Sequence, residues 1–328
     1  MTEAAPEIFL IGLGEIGASI GLALRESGAA AQRIGHDPDG RLVREAVQTG
    51  AIDRAGSFAG AARGADLIVL SLPAPAVPDA LEALARQLKP DAVVLDTALP
   101  RTAAGERVRA GWPAGRHYLG AVPSLSVSAL TSPPSGPRPD LFRGGQLGLV
   151  LPPGTPEAVA RLAYQFAHIL GCSPFFVEGS ELDGVEASAE ALARVAAAAL
   201  MRAATQAPNW RETERLAGRG LGVVAGLLTW QDPRDLAASL SANRANVLAK
   251  LDGLLEVLAD LRHKIDASDG RGLAERLGAA RRAYEQWLNQ RARGDWEIKE
   301  TVPPPEETPG NILHRLFLPR AAGRGRDR

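Results

Sequence analysis

The chain has 328 residues, 45% of them hydrophobic and 23% charged, with a formal net charge of −1. That balance suits a globular protein of two domains, and it lacks the basic surplus that would point to nucleic acid or a membrane surface as a partner. The single cysteine, Cys172, excludes an internal disulfide and argues against a multi-cysteine metal site, no stretch approaches the roughly 18 apolar residues of a membrane span, and residues 1–7 lack the form of a signal peptide, so a cytoplasmic location is expected.

The first predicted strand, Ile8–Ile11, runs into Gly12-Leu13-Gly14-Glu15-Ile16-Gly17, and Ala18–Ser27 is compatible with a helix. Strand, glycine turn and helix are the context in which this spacing cradles a dinucleotide. Gly12 permits the tight turn, Gly14 lets backbone approach a pyrophosphate, and Gly17 lets the helix sit close to the strand. The helix N-terminus then faces the phosphates. The next predicted strand, Arg33–His36, ends at Asp37, twenty residues past Gly17. An acid there accepts hydrogen bonds from ribose hydroxyls and repels a 2′-phosphate, so Asp37 favours NAD over NADP. Its rival role is to cap the helix predicted over Asp39–Thr49. Arg41 stands close enough in sequence to blur the cofactor preference.

Further strands are expected at Asp66–Ser71, Ala92–Asp96, Tyr118–Val122 and Leu147–Leu151, with helices at Pro75–Leu88 and Thr102–Ala110. Alternation of this kind implies crossover units and a parallel, doubly wound sheet of Rossmann type. Continuous apolar strands such as Leu67–Leu70 fit a sheet covered on both faces. Ser71-Leu72-Pro73 and Thr97 follow two of the strands at their carboxyl ends, where they are candidates to line the nicotinamide half of the cofactor. Residues 123–143 are too rich in Pro, Ser and Gly for regular structure and read as either an active-site lid or a mobile insertion. A helix at Pro156–Leu170 and a strand at Pro174–Val177 close the first domain, residues 1–178.

From Glu181 the pattern is helical only. Glu181–Thr205 is one alanine-rich run, and Asp232-Pro233 marks a helix start. Apolar residues then recur from Leu236 to Ile265 at helical spacing, which suits a core helix of an all-α domain or a coiled coil. Gly272–Arg291 is the last expected helix. The helical domain is thus assigned to residues 179–295. Residues 296–328 are Pro-rich and then Arg-rich and read as a disordered tail.

Several stretches, in order, resemble the prephenate and arogenate dehydrogenases of the 6-phosphogluconate-dehydrogenase-like superfamily. Trp210-Arg211-Glu212-Thr213-Glu214-Arg215-Leu216-Ala217 looks like that family's F-R/K-D-x-T-R-I-A segment. Asp91–Arg101 looks like its fifth strand and following turn, Tyr118–Ser124 takes the place of its G-G-H-P-M-x-G motif, and Asp140-Leu141-Phe142 resembles its D-L-F. The resemblance runs over roughly residues 7–290. It implies an NAD(P)-dependent oxidoreductase that removes hydride from a cyclohexadienyl acid while CO₂ leaves, a step of tyrosine biosynthesis. It also implies a small-molecule carboxylate substrate held by Arg211 and Arg215, and a homodimer formed through the helical domain.

The resemblance fails at the chemical centre. The family's catalytic histidine falls on Val122, its orienting serine on Leu99, the neighbouring lysine on Arg101, and a second histidine near Ala191. Glu190, beside Ala191, is the one nearby titratable replacement. Two alternatives therefore stay open: a non-catalytic dinucleotide-binding paralogue, and a dehydrogenase or reductase for another small acid or imine.

Overall fold

The computed structural model describes residues 5–130 and 132–294, so the expected tail lies outside the described residues. An eight-stranded sheet occupies the first part of the chain. Its strands are β1 (Glu7–Ile11), β2 (Gln32–His36), β3 (Arg54–Ala55), β4 (Leu67–Leu70), β5 (Val93–Asp96), β6 (His117–Pro123), β7 (Gln146–Val150) and β8 (Ser173–Phe176). Their order is β3-β2-β1-β4-β5-β6-β7-β8. The helices of this part are α1 (Glu15–Glu26), α2 (Gly40–Thr49), α3 (Phe58–Gly64), α4 (Val77–Ala85), α5 (Thr102–Gly111), α6 (Val127–Leu130) and α7 (Glu157–Ile169). A 3₁₀ turn, Ala74–Ala76, precedes α4 and accounts for the first residues of the single helix expected there.

Two cores lie on the two faces of the sheet. Alternation along a strand sends Ile8 and Leu10 to one face, with Leu67 and Val69, and Phe9 and Ile11 to the other, with Ile68 and Leu70. Withdrawing each such side chain from water contributes about 1.5–3 kcal/mol before entropic costs, which is why these short strands need no polar face.

Pairing is parallel except between β6 and β7, where Gly120 faces Val150 and Val122 faces Gly148 in antiparallel register. The expected parallel sheet is therefore correct but for one pair. The connection between those strands carries only the four-residue α6, and its prolines supply no crossover helix to return the chain to the opposite end.

The second part is helical: α8 (Gly179–Glu186), α9 (Leu192–Gln206), α10 (Trp210–Leu216), α11 (Arg219–Gly226), α12 (Pro233–Ala242), α13 (Arg244–Asp266) and α14 (Gly270–Arg293). A π turn, Ala187–Ala191, joins α8 to α9, so the expected alanine-rich helix is present but contains one wider turn. Asp232 caps α12 by accepting from the Arg234 N–H at 2.7 Å, as the Asp-Pro pair predicts. This half buries little of its own: among the described residues its one cluster is Ala187, Ala191 and Val247, with Leu240 against it. On α13, Leu258 is 51% and Ile265 64% exposed, so within this chain the helix is not the fully covered core helix that its periodicity suggests. Among the described residues, no helix is long and apolar enough to cross a membrane.

Candidate functional site

The glycine turn separates two reasons for having glycine. Gly12 has φ +87°, and a Cβ on it would meet the Ser71 carbonyl oxygen at 2.3 Å. A Cβ on Gly17 would lie 1.9 Å from the Gly12 oxygen. Packing within the chain demands both. Around Gly14, nothing lies within 4 Å of the site a Cβ would fill. The fold leaves that space open, beside the start of α1, which has no side-chain cap. Uncapped N–H groups and open room are what an anionic group requires.

Asp37 holds this turn. Its Oδ2 accepts from the Leu13 N–H at 2.8 Å and its Oδ1 from the Asp39 N–H at 2.8 Å. A carboxylate retains further acceptor sites after two such bonds. The rival capping role belongs to Asp39, whose side chain accepts from the Arg41 N–H at 2.8 Å. Arg41 is paired with the same Asp39 at 3.2 Å. At the carboxyl edge, the Ser71 N–H donates to the Ile11 carbonyl at 2.8 Å. Thr97 Oγ1 donates to the Leu70 carbonyl at 3.0 Å and lies 3.3 Å from Ser71 Oγ. The turns after β1, β4 and β5 thus meet, which brings Gly12, Ser71, Leu72 and Thr97 together. Glu15 is used differently: its Oε1 accepts from the Ser135 N–H at 3.1 Å. With the bond from the Arg138 N–H to Ser19 Oγ at 3.0 Å, it lays the Pro-rich segment along α1. At the other end of that segment, Arg291 of α14 donates to the Leu125 carbonyl at 2.7 Å.

Beyond β5 the structure shows a buried ionic network. Asp96 is fully buried and pairs with Arg101 at 2.9 Å. Arg101 donates to Tyr118 Oη at 2.6 Å, and Tyr118 donates to Asp96 Oδ2 at 2.7 Å. Burial opposes the Arg101 charge, yet Asp96 and Tyr118 more than restore it and hold its pKa above the ordinary value. Burial, then the Asp96 charge, pushes the Tyr118 phenol up. Neither group exchanges protons near neutrality, and Arg101 is committed to the sheet. Val122 stands opposite Gly148 in the β6–β7 ladder, whereas His117 is the first residue of β6, at the other end of that strand. His36, at the end of β2, has its Nδ1 3.2 Å from the Gly56 carbonyl.

The helical half meets this edge through α8 and α12. Asp183 of α8 accepts from the Arg101 N–H and from Thr102 Oγ1, tying α8 to the first turn of α5. α12 packs on Ala74–Ala76, directly after Pro73. Between them lies Asn243, 3% exposed, whose Nδ2 donates to the Asp183 carbonyl at 2.7 Å and to Glu186 Oε2 at 2.8 Å. Glu186 is only 7% exposed, and burial raises its carboxyl pKa above the ordinary value despite the Asn243 bond. Sequence reasoning passed over both residues. The available signal was spacing: Asp183, Glu186 and Glu190 recur at i, i+3 and i+7, one face of a helix. Glu190 lies in the π turn, exposed and paired with Arg194 at 2.7 Å. Arg211 and Arg215 are both exposed on the short α10, which packs on α9.

Residues 20–143 match the family described as prephenate dehydrogenase, nucleotide-binding domain; the glycine turn lies just before the matched stretch. No curated protein matches the sequence. Among solved structures, the chain is similar to prephenate dehydrogenase from A. aeolicus in complex with hydroxyphenyl propionate and NAD+, at 19% identity and TM-score 0.75, covering 87% of this chain and 99% of that one. It is also similar to Synechocystis arogenate dehydrogenase, at 21% identity and TM-score 0.67, covering 86% and 99%. Residues 20–143 thus match the nucleotide-binding domain of the prephenate dehydrogenase family, and the chain has the fold of the solved prephenate and arogenate dehydrogenases.

Proposed function

We propose that this protein is an NAD-dependent oxidoreductase of the prephenate/arogenate dehydrogenase type, acting on a cyclohexadienyl acid in tyrosine biosynthesis. The observation that carries it is the open space at Gly14 beside the uncapped start of α1, with Asp37 held at the end of β2. Gly12 to Gly17 hold the pyrophosphate, Asp37 the adenosine ribose, and Ser71, Leu72, Pro73 and Thr97 line the nicotinamide end. Bound there, the dinucleotide supplies the hydride acceptor. The remaining work falls to the chain itself: orienting the substrate, excluding water and moving one proton. The A. aeolicus relative, solved with NAD+ and hydroxyphenyl propionate, supports this reading.

The chain divides at residue 178 into a dinucleotide-binding domain and a helical domain, and two copies associate in the cytoplasm through the helical domains. The apolar residues left exposed on α10, α11 and α13 support association, with Leu216 at 84% as the extreme. Association also gives Arg211 and Arg215 the enclosure a carboxylate site needs. Calorimetric titration with NAD and NADP, followed by an assay of NADH formation with prephenate and arogenate, tests the proposal. Absence of heat with either nucleotide overturns it.

A second reading has a specific observation behind it. Val122 and Leu99 replace groups the family chemistry uses, and Arg101 is consumed by Asp96 and Tyr118. A dinucleotide-binding paralogue without turnover has no need of those groups. NAD binding together with silence on both acids would favour it.

A further inference from the structure

A hydroxyl cannot become a carbonyl at the carboxyl edge of this sheet unless some group takes its proton. The sheet side offers none: Val122 is apolar, and Arg101 and Tyr118 are locked in their charge states by Asp96. The acceptor then has to come from the face of the helical half that closes on that edge.

Three observations converge on one corner. Asp183 of α8 bonds the turn after β5, and α12 packs on the turn after β4, so each wall of the proposed nicotinamide end is fastened to one helix of the helical half. Asn243, the residue between α12 and α13, sits at their junction. Its Oδ1 accepts from Asn246 Nδ2 at 2.8 Å while its own Nδ2 serves Asp183 and Glu186. The amide is fixed from three sides and presents an N–H to Glu186. Beyond the π turn, in the first turn of α9, Arg194 Nε is buried with no hydrogen-bond partner. A buried donor without a partner costs about 1–3 kcal/mol unless something supplies an acceptor. An oxygen of a bound molecule does so. The corner therefore holds an oriented carboxylate, a fixed amide and a waiting donor. The adjoining π turn widens the helix at this point, and such turns recur at functional sites.

We infer that Glu186 is the proton acceptor of the reaction, oriented by Asn243, in place of the histidine that Val122 replaces. This rests on the dehydrogenase reading. The substrate O–H bond breaks and its proton passes to Glu186; the electrons of that bond form the carbonyl. The C–H pair of the same carbon would leave as hydride, for which the dinucleotide, when bound, would be the acceptor. The ring carboxylate then departs as CO₂, and its bonding pair moves through the ring to the oxygen, which takes the proton back from Glu186. The charges acting on Glu186 are Arg194, Glu190 and Asp183 of its own helix, and from the packed helices it meets the neutral amide of Asn243. Asn243 is a positioning residue.

The test compares full-length wild type with Glu186→Gln and Glu190→Gln. Glu186→Gln is expected to keep its NAD affinity by fluorescence titration and to lose about 10²- to 10⁴-fold in kcat with prephenate. It should also lose the fall of kcat on the acid side of the pH profile, while Glu190→Gln keeps turnover and keeps that limb, moved to lower pH because the Glu190 charge that raises the Glu186 pKa is gone. Asn243→Asp should shift that limb with little change in KM. Wild-type turnover with an equally active Glu186→Gln, or an equal loss in Glu190→Gln, overturns the assignment alone. Wild type inactive on both acids removes the dehydrogenase reading and the assignment with it. Should the Gln variant fail to fold, infrared difference spectra of wild type decide. A protonated-carboxyl band that titrates in the NADH-bound protein and shifts when prephenate is added supports Glu186, and a band indifferent to prephenate overturns it.

Discussion

Gly14 and Gly17 look alike in a motif but differ in what they touch. Gly17→Ala drives a Cβ into the Gly12 carbonyl and should destabilise the fold by several kcal/mol, on the order of the larger overpacking penalties, read as a lowered thermal midpoint. Gly14→Ala meets no atom of the chain; it should melt near wild type yet bind NAD at least about tenfold more weakly by calorimetry, a loss of some 1.4 kcal/mol. Equal NAD affinity in Gly14→Ala would remove the phosphate cradle from the argument. Glu186 makes a second prediction, with a sign. Its folded pKa is raised, so its contribution to stability is full below the unfolded value and is lost as pH rises through the folded one. Glu186→Gln should therefore raise the melting temperature, and by more at pH 8 than at pH 5. Burial pushes the Cys172 thiol up to about 12, so it should resist alkylation until the protein unfolds. The motif glycines and Asp37 were legible because local spacing dictates them. Glu186 and Asn243 were not, because 57 residues separate them and only packing brings them together.

Seven of the eight strands and the ends of most expected helices were readable from apolar runs, caps and prolines, each set by neighbours a few residues away; β3, two exposed residues with no apolar run, and α3 were not. The reversal of β7 was not, because it depends on how residues 124–145 fail to form a crossover rather than on β7 itself. The role of Arg101 in the turn after β5 was not legible for a related reason. Arg101 aligns with a family lysine, but Asp96 and Tyr118, from two neighbouring strands, capture it. Removing one partner from such a buried pair is more damaging than the pair is stabilising. Arg101→Met should cost about 3–5 kcal/mol in denaturant unfolding by stranding Asp96, and Tyr118→Phe about 1–3 kcal/mol by removing one hydrogen-bonding partner. A milder Arg101→Met would mean that water or a second cation reaches Asp96.

The largest gap between sequence and fold concerns the helical half. Periodicity announced an apolar face on α13, and the chain alone does not cover it: Leu258 remains 51% exposed. The dimer proposed above would cover this face, on a helix that packs along α14. Sedimentation should find wild type as a dimer at micromolar concentration. Leu258→Asp together with Ile265→Asp should yield monomer with a lowered melting temperature, since an exposed helical pair without a core has little stability of its own. A monomeric wild type would leave the exposed arginines of α10 without the cover assigned to them.

The wide turn at Ala187–Ala191 has a geometric consequence of its own. It holds one residue more than a regular helix would, and each residue advances a regular helix by about 100°. Excising Ser188 would straighten the segment and swing everything beyond it around the axis by that angle. Arg194 would leave the side on which Glu186 lies, and α9 would carry the following helices with it. A single-codon deletion should thus preserve helicity by circular dichroism while the two halves of the molecule lose their alignment.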